Sequence, residues 1–202
     1  MPKIEKITKQ TENPYVNLYL VEGKNKVDHL FRYYVASRAK TMEALKIKTK
    51  KNTPDGVLMY SLYGEKRDKI VLVRQYRVSI DDYIYEFPAG LVESGEEFHE
   101  AAVREMHEET GLTFHPLKVD PCYEKPFFTT IGMTDEACSA VYGWCEGEIS
   151  RKYLEESEVI EVVLADREEA KRILREENVA IMCSYHPVSY THLRAHETGR
   201  NL

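Results

Sequence analysis

No apolar run in this 202-residue sequence approaches the roughly 18 residues that a membrane-spanning helix needs. The opening stretch, residues 1–15, lacks the apolar core of a secretory leader as well, so a soluble chain working in the cytoplasm is expected. Positive charge is in deficit: 28 Lys and Arg stand against 34 Asp and Glu, a net charge of −6. That balance leaves no basic footprint for nonspecific nucleic-acid binding, and an anionic ligand would need local Arg or Lys. Cysteine is scarce, and Cys122, Cys138, Cys145 and Cys183 are never spaced C-x-x-C. This spacing argues against a zinc ribbon or a thioredoxin-type motif and fits reduced thiols. No internal repeat is found, and the length suits one main core with at most a small added module.

The chain is rich in strand-forming runs. Two of them, YVNLYLVE from Tyr15 and HLFRYYVAS from His29, flank the polar GKNKVD and read as a hairpin within an N-terminal β extension, residues 1–50. The Lys-rich KIKTKKNTPDG from Lys46 to Gly56 reads as a solvated linker. Three further runs, Gly56 to Tyr63, Lys69 to Val78 and Tyr83 to Glu93, are dominated by Val, Ile and Tyr. Strands are also expected over Leu117 to Glu124, Ser139 to Ile149 and Val159 to Ala165. A packing helix follows Asp166, which forms a capping box with Glu169 ahead of Ala170, Ile173 and Leu174. The order of strands and helices predicts a mixed sheet with helices against it, in a main domain over residues 54–186. Pro187 is expected to stop the last helix. Residues 187–202 break every preceding pattern and resemble translated cloning sequence, so the His192 and His196 pair is not read as a metal site.

Between Gly90 and Leu112 the chain places seven acidic residues in an amphipathic helix pattern. Ser94 with Glu97 reads as a capping box and Gly111 as a stop, which predicts a helix from about Gly95 to Thr110. On a helical projection that sets Phe98 at zero, Ala101, Ala102 and Leu112 fall within about 60° and Met106 at about 80°. Glu105 then lies near −20° and Glu109 near +20°, inside the apolar arc, with Glu108 at its edge. Ionised carboxylates in an apolar setting are strongly disfavoured, and Glu105 also meets Glu108 and Glu109 at like-charge spacing. A hard divalent cation would reverse that sign. Carboxylates without interleaved His or Cys suit Mg²⁺ or Mn²⁺. Glu97 and Glu100 read instead as a solvated face, with Glu100 and Arg104 spaced as an ion pair.

The same residues match the pattern G-x5-E-x7-R-E-U-x-E-E-x-G-U, with U apolar, at Gly90, Glu96, Arg104, Glu105, Met106, Glu108, Glu109, Gly111 and Leu112. A match of this kind arises by chance at roughly one start in a billion. The chain therefore resembles the Nudix hydrolases, and the resemblance implies an α/β/α sandwich that hydrolyses nucleoside diphosphates linked to another moiety. The runs YYVASR, VLVRQYR and YEFPAGLVE, and Pro126 fifteen residues after Gly111, resemble the ADP-ribose pyrophosphatase branch. That branch implies a homodimer joined through the N-terminal hairpin.

Carried over by position, the resemblance assigns metal binding to Glu105, Glu108, Glu109 and the carbonyl of Ala89, with Glu96 joining through water. Arg104 would orient the carboxylates. The general base is expected in LEESEVIEVV, at Glu158 or else Glu156, with Glu155 also close. Arg77, Arg74 and the Arg38 of a second subunit would contact the diphosphate, and Pro126 would favour ADP-ribose. Nucleotide sugars such as GDP-mannose stay open as substrates, as does a noncatalytic ADP-ribose sensor. RNA decapping would call for a basic face, which this composition lacks.

Overall fold

The computed structural model describes residues 2–154 and 158–188, with side chains up to residue 185. The chain divides into two units, Met1–Asp55 with Lys125–Ser139, and Gly56–Glu124 with Ala140 onward. In the first, β1 (Lys3–Lys9), β2 (Asn17–Lys24) and β3 (Leu30–Ser37) form an antiparallel sheet in that order. The expected hairpin is present, and its turn is closed by the Asn25 side chain, which accepts the N–H groups of Val27 and His29 at 3.0 Å. Strand β1 was not expected. In the Lys-rich segment, the single helical turn α1 (Lys46–Thr49) follows the buried Leu45.

The second unit opens with β4 (Gly56–Tyr63) and β5 (Lys69–Arg77), where the apolar runs place them. The run read as one strand from Tyr83 divides into β6 (Asp82–Glu86) and β7 (Ala89–Leu91). Pro88 lies at the break because it has no N–H for a ladder bond, while its carbonyl accepts from Met59 N–H at 2.9 Å. Helix α2 (Phe98–Thr110) starts about three residues later than expected. Gly95 sits at φ +87, outside helical space, so Glu97 rather than Ser94 forms the cap, accepting His99 N–H at 2.8 Å. At the far end Gly111, at φ +76, turns the chain directly into β8 (Thr113–Pro116). The strand expected over Leu117 to Glu124 is therefore misplaced. That segment instead carries the short helix α3 (Pro121–Glu124), where Asp120 accepts Cys122 N–H at 2.8 Å and Pro121 needs no donor in the first turn.

Strand β9 (Phe127–Phe128) belongs to the first unit and pairs with Ala137 and Cys138 at the start of β10 (Ala137–Glu146), a strand that enters the second unit at Ala140. Next come β11 (Ile160–Ala165) and α4 (Arg167–Glu176), the latter capped by Asp166, which accepts Glu169 N–H at 2.9 Å. Helix α5 (Ile181–Val188) runs through Pro187 instead of stopping there. The proline removes one donor in the final turn only, so little of the helix is lost. The rest of the proposed tail, residues 189–202, lies outside the described residues.

The sheet runs β11-β5-β4-β10-β8, with β6 on β5 and β7 on β4. Alternation along β4 and β5 decides what each face meets. Val57, Met59 and Val71 pack with Ala101, Ala102 and Met106 of α2, while Leu58, Ile70 and Leu72 pack with Ala170 and Ile173 of α4 and Cys183 of α5. Helices thus cover both faces of a mixed sheet, the α/β/α layering that the resemblance implied. Among the described residues no helix is long and apolar enough to cross a membrane.

His99 ties the start of α2 to α3. Its Nδ1 lies 3.1 Å from a Glu97 oxygen and its Nε2 3.1 Å from the buried Glu124, so both ring nitrogens donate only when the ring is protonated. Burial lowers the imidazolium pKa, but the Glu124 and Glu97 carboxylates outweigh it and leave the pKa above its ordinary 6.5. A raised folded-state pKa contributes stability in full below pH 6.5 and loses it as pH rises through the folded value. Urea unfolding between pH 6 and 9 should show this loss, at most about 1 kcal/mol because the His99 side chain is itself 36% exposed. It should vanish in His99→Gln; identical pH slopes in the two proteins would refute the tie.

Candidate functional site

Three local features aim the carboxylates of α2. The first is helical phase: Met106 is fully buried beneath the helix, and residues 105 and 109 lie either side of its inward direction. Glu109 is 4 % exposed and Glu105 half-buried, whereas the Glu108 side chain remains 45 % exposed. The second is Gly90 on β7. A Cβ at that position would lie 1.9 Å from the Glu105 carboxyl carbon, so only glycine lets this carboxylate rest on the strand. The third is Gly111, whose added Cβ would come within 2.6 Å of Ser150 and whose left-handed φ ends the helix.

Arg104 organises the cluster. Its Nε and one Nη donate to the two oxygens of Glu96 at 2.9 and 3.0 Å, a bidentate pair. The other Nη donates to Glu105 and Glu108, both at 2.9 Å, and the remaining N–H goes to the Leu91 carbonyl at 3.0 Å. All five guanidinium donors are used. The expected Glu100 pairing is replaced by these contacts. Hydrogen bonds from Arg104, then from Glu93 N–H, lower the Glu96 pKa to about 2. The Glu105 pKa is raised, chiefly by burial, with Arg104 opposing and Glu108 and Glu158 adding to the rise. Glu109 is raised well above the ordinary range by burial; Ala89 N–H, at 3.1 Å, opposes, and the charges of Glu105 and Glu158 reinforce.

These groups line a cavity of about 610 Å³ that also presents Ala89, Arg77 and Glu158. Arg77 donates to Glu86 at 2.6 Å across the β5–β6 pair. Most of the residues proposed from the sequence therefore meet on one wall. Glu96 acts there through Arg104 and is not itself part of the lining. Arg74 is absent from the lining: it pairs with Glu161 at 3.2 Å and stacks over Tyr83 at 3.9 Å. Arg38, paired with Glu136 at 3.0 Å, and Pro126, whose carbonyl accepts from Asn52 at 2.8 Å, both belong to the first unit. Glu156 and Glu155 lie outside the described residues. The cavity adds Gln75, Leu91, Glu93 and Tyr153, which sequence reasoning did not assign. Gln75 had a signal, since it stands two residues before Arg77 and so shares its face of β5. Tyr153 had none.

Among the described residues, no ready-made group of three His, Cys, Asp or Glu side chains stands in metal-binding geometry. Arg104 explains why the obvious trio is not assembled, because its Nη lies between Glu105 and Glu108. The donor chemistry nevertheless fits a hard divalent ion. It offers carboxylate and carbonyl oxygens alone, and the buried Glu109 receives only a backbone N–H, too little to offset its desolvation.

The NUDIX domain family model matches residues 52–184. Among curated proteins, the ADP-ribose pyrophosphatase of Bacillus subtilis (strain 168) is 32% identical over 130 residues, covering 62% of this chain and 66% of that protein. The ADP-ribose pyrophosphatase of Saccharomyces cerevisiae is 32% identical over 108 residues, covering 52% of this chain and 47% of that one. The chain thus spans between about half and two thirds of the length of these relatives. Among solved structures, an ADP compounds hydrolase superposes with a TM-score of 0.68 at 17% identity, over 99% of this chain and 96% of the other, a likeness of fold.

The Gly90 contact yields a direct test. Gly90→Ala should push the Glu105 carboxylate off β7 and weaken Mn²⁺ uptake by about tenfold to a hundredfold, the range found when a ligand's support is lost. Titration calorimetry reads the affinity and thermal melting confirms the fold. Unchanged uptake in a folded variant would remove Glu105 from the ligand set.

Proposed function

The chain belongs to the NUDIX domain family, and from that membership together with the buried carboxylate cluster we propose that it hydrolyses the diphosphate bond of ADP-ribose to AMP and ribose 5-phosphate. The single observation that carries this reading is the pair Glu105 and Glu109, the first half-buried and the second almost wholly withdrawn from water, on a wall that also bears Arg77. The names of the relatives support the choice of an ADP-sugar substrate.

Diphosphate esters resist attack because their oxygens are anionic and repel a nucleophile. Mg²⁺, or Mn²⁺ in its place, when bound supplies charge neutralisation and a more acidic coordinated water. Glu105, Glu108, Glu109 and the Ala89 carbonyl would hold the ion. Arg77 would grip phosphate oxygens with its fork, leaving Glu86 for the stronger anion. Glu158 takes the proton of the attacking water; the new P–O bond forms as the bridging P–O bond breaks, and the departing phosphate leaves as the second monophosphate. Glu96 holds Arg104, and Arg104 holds Glu105 and Glu108, so the two outer carboxylates keep their aim.

We also propose that the protein is a homodimer through its N-terminal strands. Leu30 and Tyr34 of β3 are 78% and 52% exposed, apolar surface suited to a second copy. The four free cysteines, two of them buried, fit a reducing compartment, and we assign the reaction to the cytoplasm.

Incubation with Mg²⁺ and ADP-ribose should release AMP and ribose 5-phosphate, faster than GDP-mannose releases its monophosphates. Glu109→Gln keeps the shape and removes a charge, so turnover should fall at least about a hundredfold; a variant within threefold of the parent would reject the role of Glu109. Sedimentation velocity should give a dimer, and a monomer at micromolar concentration would overturn the association.

A further inference from the structure

Tyr153 is the one aromatic among the described residues that line the cavity. The carboxylates, held by Arg104, answer to a cation and Arg77 to phosphate, which leaves this ring without a part in the proposed reaction. Its placement is nevertheless specific. The ring rests on the imidazole of His107, in the last turn of α2, with centroids 4.4 Å apart and planes tilted by 40°. Backed in this way, the residue still keeps 45% of its surface exposed. The phenol hydroxyl has no hydrogen-bond partner among the described residues, and Lys152 Nζ lies 5.6 Å from the ring centroid. Such a side chain combines a supported apolar surface with a polar tip free to bond.

A nucleoside diphosphate sugar has three chemical parts: a charged diphosphate, sugar rings and a flat base. The diphosphate is matched by Arg77 and by the cation site, not by a neutral phenol. Tyr153 lines the same cavity as the carboxylates, where the scissile phosphates must lie, so a base stacked on it would compete with the diphosphate for that space. The atoms that adjoin a diphosphate are those of a sugar, whose C–H groups pack on an aromatic ring and whose hydroxyls bond to a phenol. We propose that Tyr153 is the sugar-contacting wall of this site, holding the sugar next to the diphosphate by ring packing and by a hydrogen bond from its hydroxyl. The proposal rests on the hydrolase reading and refines it, making Tyr153 a specificity residue rather than part of the ion cluster.

The test compares Tyr153→Ala and Tyr153→Phe with the parent, using ADP-ribose as substrate and methylenediphosphonate, a diphosphate without a sugar, as competitor. Tyr153→Ala should raise KM for ADP-ribose about tenfold, the scale of a lost aromatic contact, with kcat within threefold. The inhibition constant of methylenediphosphonate should stay within twofold, and Tyr153→Phe should recover all but about threefold of the loss in KM. An unchanged KM in Tyr153→Ala would overturn the proposal. An equal weakening of methylenediphosphonate would also overturn it by placing the ring's effect at the phosphates, and a fall in kcat alone would assign Tyr153 a merely structural role. A parent inactive on every nucleoside diphosphate sugar would instead sink the hydrolase reading, and this inference with it.

Discussion

Three carboxylates crowd together at one helix because a single guanidinium stands among them. Arg104 spends every donor it has, two on Glu96, one each on Glu105 and Glu108, and one on the Leu91 carbonyl. The last bond matters as much as the ion pairs, because it fastens the helix to the strand that begins at Ala89. Glu96 in turn accepts Glu93 N–H at 3.0 Å, which ties the loop before the helix to the same hub. The match at Glu96 and Arg104 is thus one bidentate contact joining loop and helix, and the rest of the cluster is built around it.

The layers decide where that hub can stand. Alternation along β4 and β5 gives α2 one face of the sheet and α4 with α5 the other, so α2 is clamped along its apolar side and cannot roll. Met106 and Leu112, fully buried, contribute about 1.5 to 3 kcal/mol each. Two like-charge contacts along the helix cost roughly 0.2 to 0.5 kcal/mol each. Packing therefore wins easily over surface repulsion and fixes the helix in a phase that carries Glu105 and Glu109 inward. It does not cancel the several kcal/mol that an unpaired buried carboxylate costs.

Much of this was legible in the sequence, and for identifiable reasons. The phase of α2 follows from Phe98, Ala101, Ala102 and Met106 alone, which is why the burial of Glu105 and Glu109 could be anticipated. Strands β4 and β5 are dense in β-branched and aromatic residues and fall where expected. Misreadings occur where local chemistry is ambiguous. Ser94 looks like a cap, yet Gly95 in left-handed space keeps it out of the helix. LKVDPCYE is apolar enough for a strand, but Gly111 turns the chain so sharply that the strand is already complete at Pro116. Strand β1, KIEKITK, has two apolar residues and buries none of its residues fully, so nothing in it separates a strand from solvated chain. Arg74 and Arg77 share a residue type but stand three apart on β5 and so face opposite sides of the sheet, Arg74 toward Tyr83 and Glu161 and Arg77 toward Glu86, an alternation the sequence already carried.

Burial grades the carboxylates of α2, and that grading implies a division of labour. Glu109, almost wholly withdrawn from water, lies out of Arg104's reach and takes a single backbone N–H. Glu105 is intermediate, with Arg104 on one oxygen. Glu108 is nearly half exposed and also held by Arg104. An ion entering from the cavity would gain most from the carboxylate with the least compensation, since desolvation already incurred on folding is recovered when a counter-charge arrives. If the ion binds as proposed, Glu109 would be its anchor, and Glu108, the most solvated of the three, would be the ligand that exchanges Arg104 for the ion. The fold would bear the cost of that anchor in advance through the clamped helix, while Arg104 keeps the outer carboxylates aimed at the cavity.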